Sequence, residues 1–162
     1  MDVILLFQDK VIKTNSKAIN RSSLLVYLNN TYPNEEIRLN YNYELSKRII
    51  EWLERHETID PIIPPFPNVD YNYKKVLTIW EIEFFSSLIL GNDISLYVEF
   101  MNLINSFEIP EMLNQACYYL TCILGNISLK EYMDLFKIEQ NIENSDLSSV
   151  ESKINSAIIE KK

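Results

Sequence analysis

The sequence predicts an α+β fold, with a small strand-containing front and an all-helical back. Three observations carry this. Short β-rich runs occur only up to about residue 40, a proline-laced segment "DPIIPPFPN" (60–68) interrupts the middle, and everything beyond it reads with a helical period. At 162 residues the chain is one domain, or one domain with an appendage, and is long enough to bury a core.

The elements follow in order. "VILLF" and "VIKT", separated by "QDK", predict a hairpin, although no glycine sets the turn. "AINRSSLLVYLNN" predicts a helix with Ile19, Ser23 and Tyr27 on one row and Leu24 and Leu28 on another, ended by Asn29, Asn30 and Pro33. "EEIRLN" alternates as a short third strand. "YELSKRIIEWLERH" is an amphipathic helix with Leu45, Ile49, Trp52, Leu53 and His56 on its apolar face. A loop is expected from about 57 to 73. At its exit, "VLTIWEIEFF" crowds Ile79, Trp80, Ile82, Phe84 and Phe85 into seven positions. Asp93 or Ser95 is expected to cap a helix through Phe107 along the stripe Leu96, Phe100, Leu103, Ile104 and Phe107. Pro110 suits the first turn of the next helix and Gly125 its end. Capping boxes at Ser128–Glu131 and Ser148–Glu151 start two more helices, the last carrying Ile154, Ile158 and Ile159 on a thin stripe.

Composition and motifs exclude several functions. A net charge of −8 opposes binding to nucleic-acid phosphates. No apolar run approaches the roughly 18 residues of a membrane span, so no membrane role is expected and the chain reads as cytoplasmic or nuclear. Gly91 and Gly125 are the only glycines, which leaves nothing for a phosphate-cradling loop. Cys117 and Cys122 lie about 140° apart around a helix, unsuited to a shared disulfide or metal, and read as small core residues. His56 is the one histidine and reads as a core-edge or solvated side chain. Glu81 and Glu83 read as solubilising charges in an aromatic run. No catalytic residue, metal site or cofactor is implied. The back half is rich in Tyr, Met, Phe and Leu, including Tyr97, Met112, Tyr119, Tyr132, Leu135 and Phe136, which are either core or a partner-binding surface.

Four segments in order, "RIIEWLERHETIDP", "IWEIEF", "LINSFEIPEML" and "GNISLKEYMDLFKI", resemble the Skp family, the adaptors that join F-box proteins to cullin scaffolds in ubiquitin ligases. Ile79, Trp80, Glu81, Glu83 and Phe84 match the family's loop-exit pattern, and the turn Ile104–Ile109 matches its A-N-Y-L-D-I turn, with no gap from there to Ile138. The resemblance implies a BTB/POZ domain over 1–109, a helical F-box-binding extension over 110–162, and a non-catalytic subunit acting in protein degradation. It assigns cullin contact to Leu103, Asn105 and Ser106, and F-box contact to Met112, Ala116, Tyr119, Ile123, Tyr132, Leu135, Phe136 and Ile138. It also assigns Trp52, Trp80 and Phe84 to the structural core, and implies that "IWEIEFF" re-enters that core from the loop with Trp80, Phe84 and Phe85 as anchors. Ser106 stands where the family carries tyrosine, and the stretch between Trp80 and Leu96 is longer than the family's. Three other readings stay open: a BTB-type or elongin C-like interaction module, a decoy adaptor that binds one partner, and an enzyme. The enzyme reading requires a buried, shifted carboxylate near His56.

Overall fold

The computed structural model describes residues 2–64, 72–89 and 93–137. The capping box at Ser148–Glu151, the last helix and Ile138 lie outside the described residues. The fold is α+β, a three-stranded sheet with helices packed around one hydrophobic core.

Strand β1 (Asp2–Phe7) and β2 (Lys10–Asn15) form the predicted antiparallel hairpin, with Phe7 opposite Lys10. The tight connection is made without glycine because Gln8 takes a left-handed φ of 57°. Strand β3 (Glu36–Arg38) pairs parallel to β1, giving the order β2-β1-β3. Val3, Leu5 and Phe7 alternate inward from β1, as a strand with one buried face requires.

The helix expected over 18–30 is broken in two. Ala18–Arg21 is a short 3-10 turn and α1 runs Ser23–Thr31. Ser22 is extended at φ −108° and ψ 108°, and its Oγ caps α1 by accepting the Leu25 N–H at 3.2 Å. The break resets the helical phase, so Leu25 is buried while Ser23 and Tyr27 face outward. Helix α2 (Tyr43–Arg55) matches its prediction, and Ile49, Trp52 and Leu53 form the centre of the core.

The loop resumes regular structure as a 3-10 turn at Tyr73–Lys75, and α3 (Ile79–Ser86) follows. Phe84 and Phe85 are buried as expected. Trp80 is only partly buried: its ring stacks on Phe84 at 4.9 Å while the Arg55 guanidinium covers its other surroundings at 5.6 Å. Helix α4 (Ser95–Ser106) has Ile94 at its N-cap with no side-chain cap, because Asp93 Oδ1 instead accepts the Ser95 N–H at 2.8 Å. Pro110 opens α5 (Pro110–Leu124), and Gly125 ends it with a φ of −72°, a conformation that does not depend on glycine. The Ser128–Glu131 capping box starts α6 (Leu129–Leu135). Among the described residues one hydrophobic cluster includes both β1 and Met112, Ala116, Tyr119 and Cys122.

Candidate functional site: an apolar groove at helices α5 and α6

Helix α5 carries Met112, Ala116, Tyr119 and Ile123 along one face at helical spacing. The first two are fully interior and present no surface; they seat α5. Tyr119 reaches the edge of the core, packed against Phe85 at 5.9 Å and Tyr73 at 5.1 Å. Burial, followed by the neighbouring Tyr73, pushes its phenol up. Ile123 is half-buried beside it.

Helix α6 lays Leu135 into the body while Tyr132 and Phe136 remain 37% and 38% exposed, their rings 4.6 Å apart. Apolar clefts open on both sides of Leu135. One, of about 310 Å³, is lined by Ser86, Ile89, Tyr119, Ile123, Ile127 and Glu131 as well as Leu135. The other, of about 280 Å³, lies between Ile94, Ser95 and Val98 of the α4 end and Leu135 with Phe136. Lys137 pairs with Asp93 and ties the end of α6 to the start of α4; that contact and the Ser95 N–H hold the Asp93 carboxyl well below its usual range. Thus Tyr119, Ile123, Leu135 and Phe136 line these clefts, Tyr132 packs against Phe136, and Ile138 lies beyond the described residues.

The other assigned surface lies at the end of α4. Leu103 is buried, whereas Asn105 and Ser106 are exposed. The helix ends in a Schellman turn, with Glu108 N–H donating to Asn105 O at 3.0 Å and Ile109 N–H to Ile104 O at 3.4 Å. Glu108 takes the left-handed φ of 54° that this turn needs. Ser22 Oγ donates to Phe107 O and Ser23 N–H to Glu108 O, which fixes the turn against α1.

Sequence reasoning missed a buried polar network. Glu81, expected at the surface, is 2% exposed, and His56 is 4% exposed. Glu81 Oε2 accepts Thr78 N–H at 2.7 Å and Thr78 Oγ1–H at 2.8 Å; Oε1 accepts Gln115 Nε2–H at 2.6 Å and lies 3.5 Å from His56 Nε2. The T-x-x-E spacing of Thr78 to Glu81 was the available signal, since the carboxylate is drawn inward as a helix-capping group. Nothing in the pattern marked Gln115, which also donates to Ile62 O at 3.0 Å and accepts Trp52 Nε1–H at 3.0 Å.

The buried, shifted carboxylate that the enzyme reading asked for therefore exists. Its oxygens are engaged by the chain's own donors, which makes it a joint between elements. His56 also borders a polar cleft of about 570 Å³ with Lys17, Arg21, Glu57 and Glu111, whose charges offset one another. Arg21 there is already held by Asp60 at 2.6 Å and by His56 O at 3.0 Å.

No disulfide joins Cys117 and Cys122, and burial pushes the Cys117 thiol up. Among the described residues no group of His, Cys, Asp or Glu is arranged to hold a metal ion, and no helix is long and apolar enough to cross a membrane. No family model matches the chain, and no curated protein matches it.

Proposed function

We propose that the chain is a non-catalytic adaptor of the Skp type, a BTB/POZ domain with a helical extension that links an F-box receptor to a cullin in a ubiquitin ligase. The observation that carries the reading is the apolar groove around Leu135, with Tyr132 and Phe136 left half-exposed at its rim. Aromatic side chains standing beside unfilled apolar clefts suit a partner that inserts apolar anchors. Of the described residues that the motif resemblance assigns to F-box contact, Tyr132 and Phe136 are exposed, Ile123 is half-buried, Tyr119 and Leu135 are buried but line the clefts, and Met112 and Ala116 are interior. The exposed Asn105 and Ser106 sit on a rigid turn on α4, which suits a second, separate contact with a cullin.

Co-purification from cells that supply both partners tests this. Tyr132→Ala with Phe136→Ala removes rim anchors worth about 2 kcal/mol each, roughly thirtyfold in affinity apiece, and abolishes F-box capture. Asn105→Lys with Ser106→Glu places unpaired charge in the cullin contact and spares the F-box. Loss of both partners by either pair, in a chain that still folds, overturns the two-surface reading. F-box capture without any cullin in the unsubstituted chain turns the reading to a decoy.

A further inference from the structure

The buried network joins three helices and both described ends of the proline loop. Trp52 and His56 belong to α2, Ile62 to the loop's entry, Thr78 and Glu81 to its exit and α3, and Gln115 to α5. Its proton inventory is unusual. His56 Nδ1 faces Trp52 O at 2.8 Å, and a carbonyl oxygen only accepts. His56 Nε2 faces the carboxylate of Glu81 at 3.5 Å, and that also only accepts. A neutral imidazole has one N–H for these two acceptors; only the doubly protonated ring satisfies both. The ring is further fixed by stacking on Trp52 at 4.1 Å and by the edge of Trp80 at 6.0 Å.

We propose that His56 and Glu81 form a proton-operated latch that fastens both ends of the proline loop to α5, closed while the imidazole carries two N–H protons and opened when it gives one up. With the ring neutral, Glu81 is a buried carboxylate without a cation, a costly state. The other charged groups around the pair do not replace the lost proton. Arg21, from the 3-10 turn before α1, points at His56 O, Asp60 and Glu111 of α5. Arg55 of α2 lies over Trp80, Glu57 accepts from Asn15, and Lys17 borders the outer cleft. Glu81 relieves the imbalance by turning toward water, which releases Thr78 N–H and the Gln115 amide. Gln115 then loses the carboxylate that orients its amide toward Ile62 O, and the loop's entry loosens with its exit. Burial pushes the Glu81 carboxyl up, yet His56, Thr78 and Gln115 together bring it below its ordinary value, so the closed site holds the ionised form.

The chain has one histidine, so its ring nitrogens are read without ambiguity by 15N NMR. The full chain is titrated over roughly pH 5 to 9, the range that brackets imidazole's change of charge, following the ring, the Thr78 amide, the Gln115 side-chain amide and Leu5 of β1. The expected result is that Thr78 and Gln115 lose about tenfold or more of their exchange protection, corrected for intrinsic rate, at the pH where the ring loses its second proton, while Leu5 does not change there. In Glu81→Gln protection no longer follows the ring's protonation state. Flat protection at Thr78 and Gln115 through the ring's transition overturns the latch. So does a ring that keeps one protonation state throughout, or a Glu81→Gln chain whose protection still tracks the ring. The wild-type titration decides the matter even if the variant does not fold.

Discussion

Burial pushes the Glu81 carboxyl up, and the hydrogen bonds from His56, Thr78 and Gln115 outweigh it and leave the group below its ordinary value. A folded-state value below the unfolded one contributes stability that is fully present above the unfolded value of about 4.5 and is lost as pH falls through the folded value. Urea midpoints for the wild type and Glu81→Gln therefore differ while the carboxyl is ionised and the latch is closed, and converge as the pH is lowered below that value. A gap that stays constant down to the acid transition assigns the sensitivity to another group. Gln115 is the complementary case, because Gln115→Leu leaves Trp52 Nε1 without its acceptor in the core and removes the amide that donates to Ile62 O and Glu81 Oε1. A loss of about 1–3 kcal/mol is expected in chemical denaturation, the cost of one stranded buried group. Glu108 works in the opposite direction. It holds a φ of 54°, which a side chain disfavours, so Glu108→Gly is expected to raise stability by about 0.5–1 kcal/mol in the same assay.

Helix α3 is short and owes its position to what it buries. Phe85 is fully enclosed by Tyr97 and Tyr119, while Trp80 keeps one side toward Arg55 and solvent. Phe85→Ala is expected to cost about 3–5 kcal/mol and Trp80→Ala about half of that, a ranking that equilibrium unfolding of the two variants checks. If Trp80→Ala proves the more damaging, the loop exit is anchored differently from what the packing implies. Helix α6 spans Leu129–Leu135, too short to be stable by itself. It is held by its capping box, by Met133 and Leu135, and by the Lys137 contact with Asp93. Faster amide exchange is expected in α6 than in α5, with Ser128→Ala widening the difference by about 1 kcal/mol.

Among the described residues α5 belongs to the same hydrophobic core as the sheet and α2. Tyr97 Oη donates to Ala116 O at 2.9 Å, and Gln115 completes the network under the proline loop. A chain cut after Ile109 would expose Phe85 and Tyr97 and strand Glu81. It is expected to lack a cooperative thermal transition by circular dichroism. A truncated chain that melts as sharply as the full one would make α5 a true appendage. The half-exposed rings on α6 raise the alternative of self-association, and light scattering on the purified full chain addresses it: the adaptor reading expects a monomer, and a stable dimer supports the BTB-type module instead.

Local patterns determined most of the elements. The period-two runs of β1 and β2, the amphipathic stripe of α2, Pro110 at the start of α5 and the Ser128–Glu131 box are each written in a few neighbouring residues, because backbone geometry and capping act over one or two turns. Long-range packing settled what those patterns left open. Ser22 breaks a continuous helical pattern because Phe107, far along the chain, offers its carbonyl to the Ser22 hydroxyl. Met112 and Ala116 share a helical face with Tyr119 and Ile123, yet the body of the fold covers the first pair and leaves the second at a groove. Glu81 and His56 look like surface charge and core edge in sequence, and become a buried pair only because α5 brings Gln115 between α2 and α3. Burial is a property of what lies opposite a residue, and no run of neighbours specifies that.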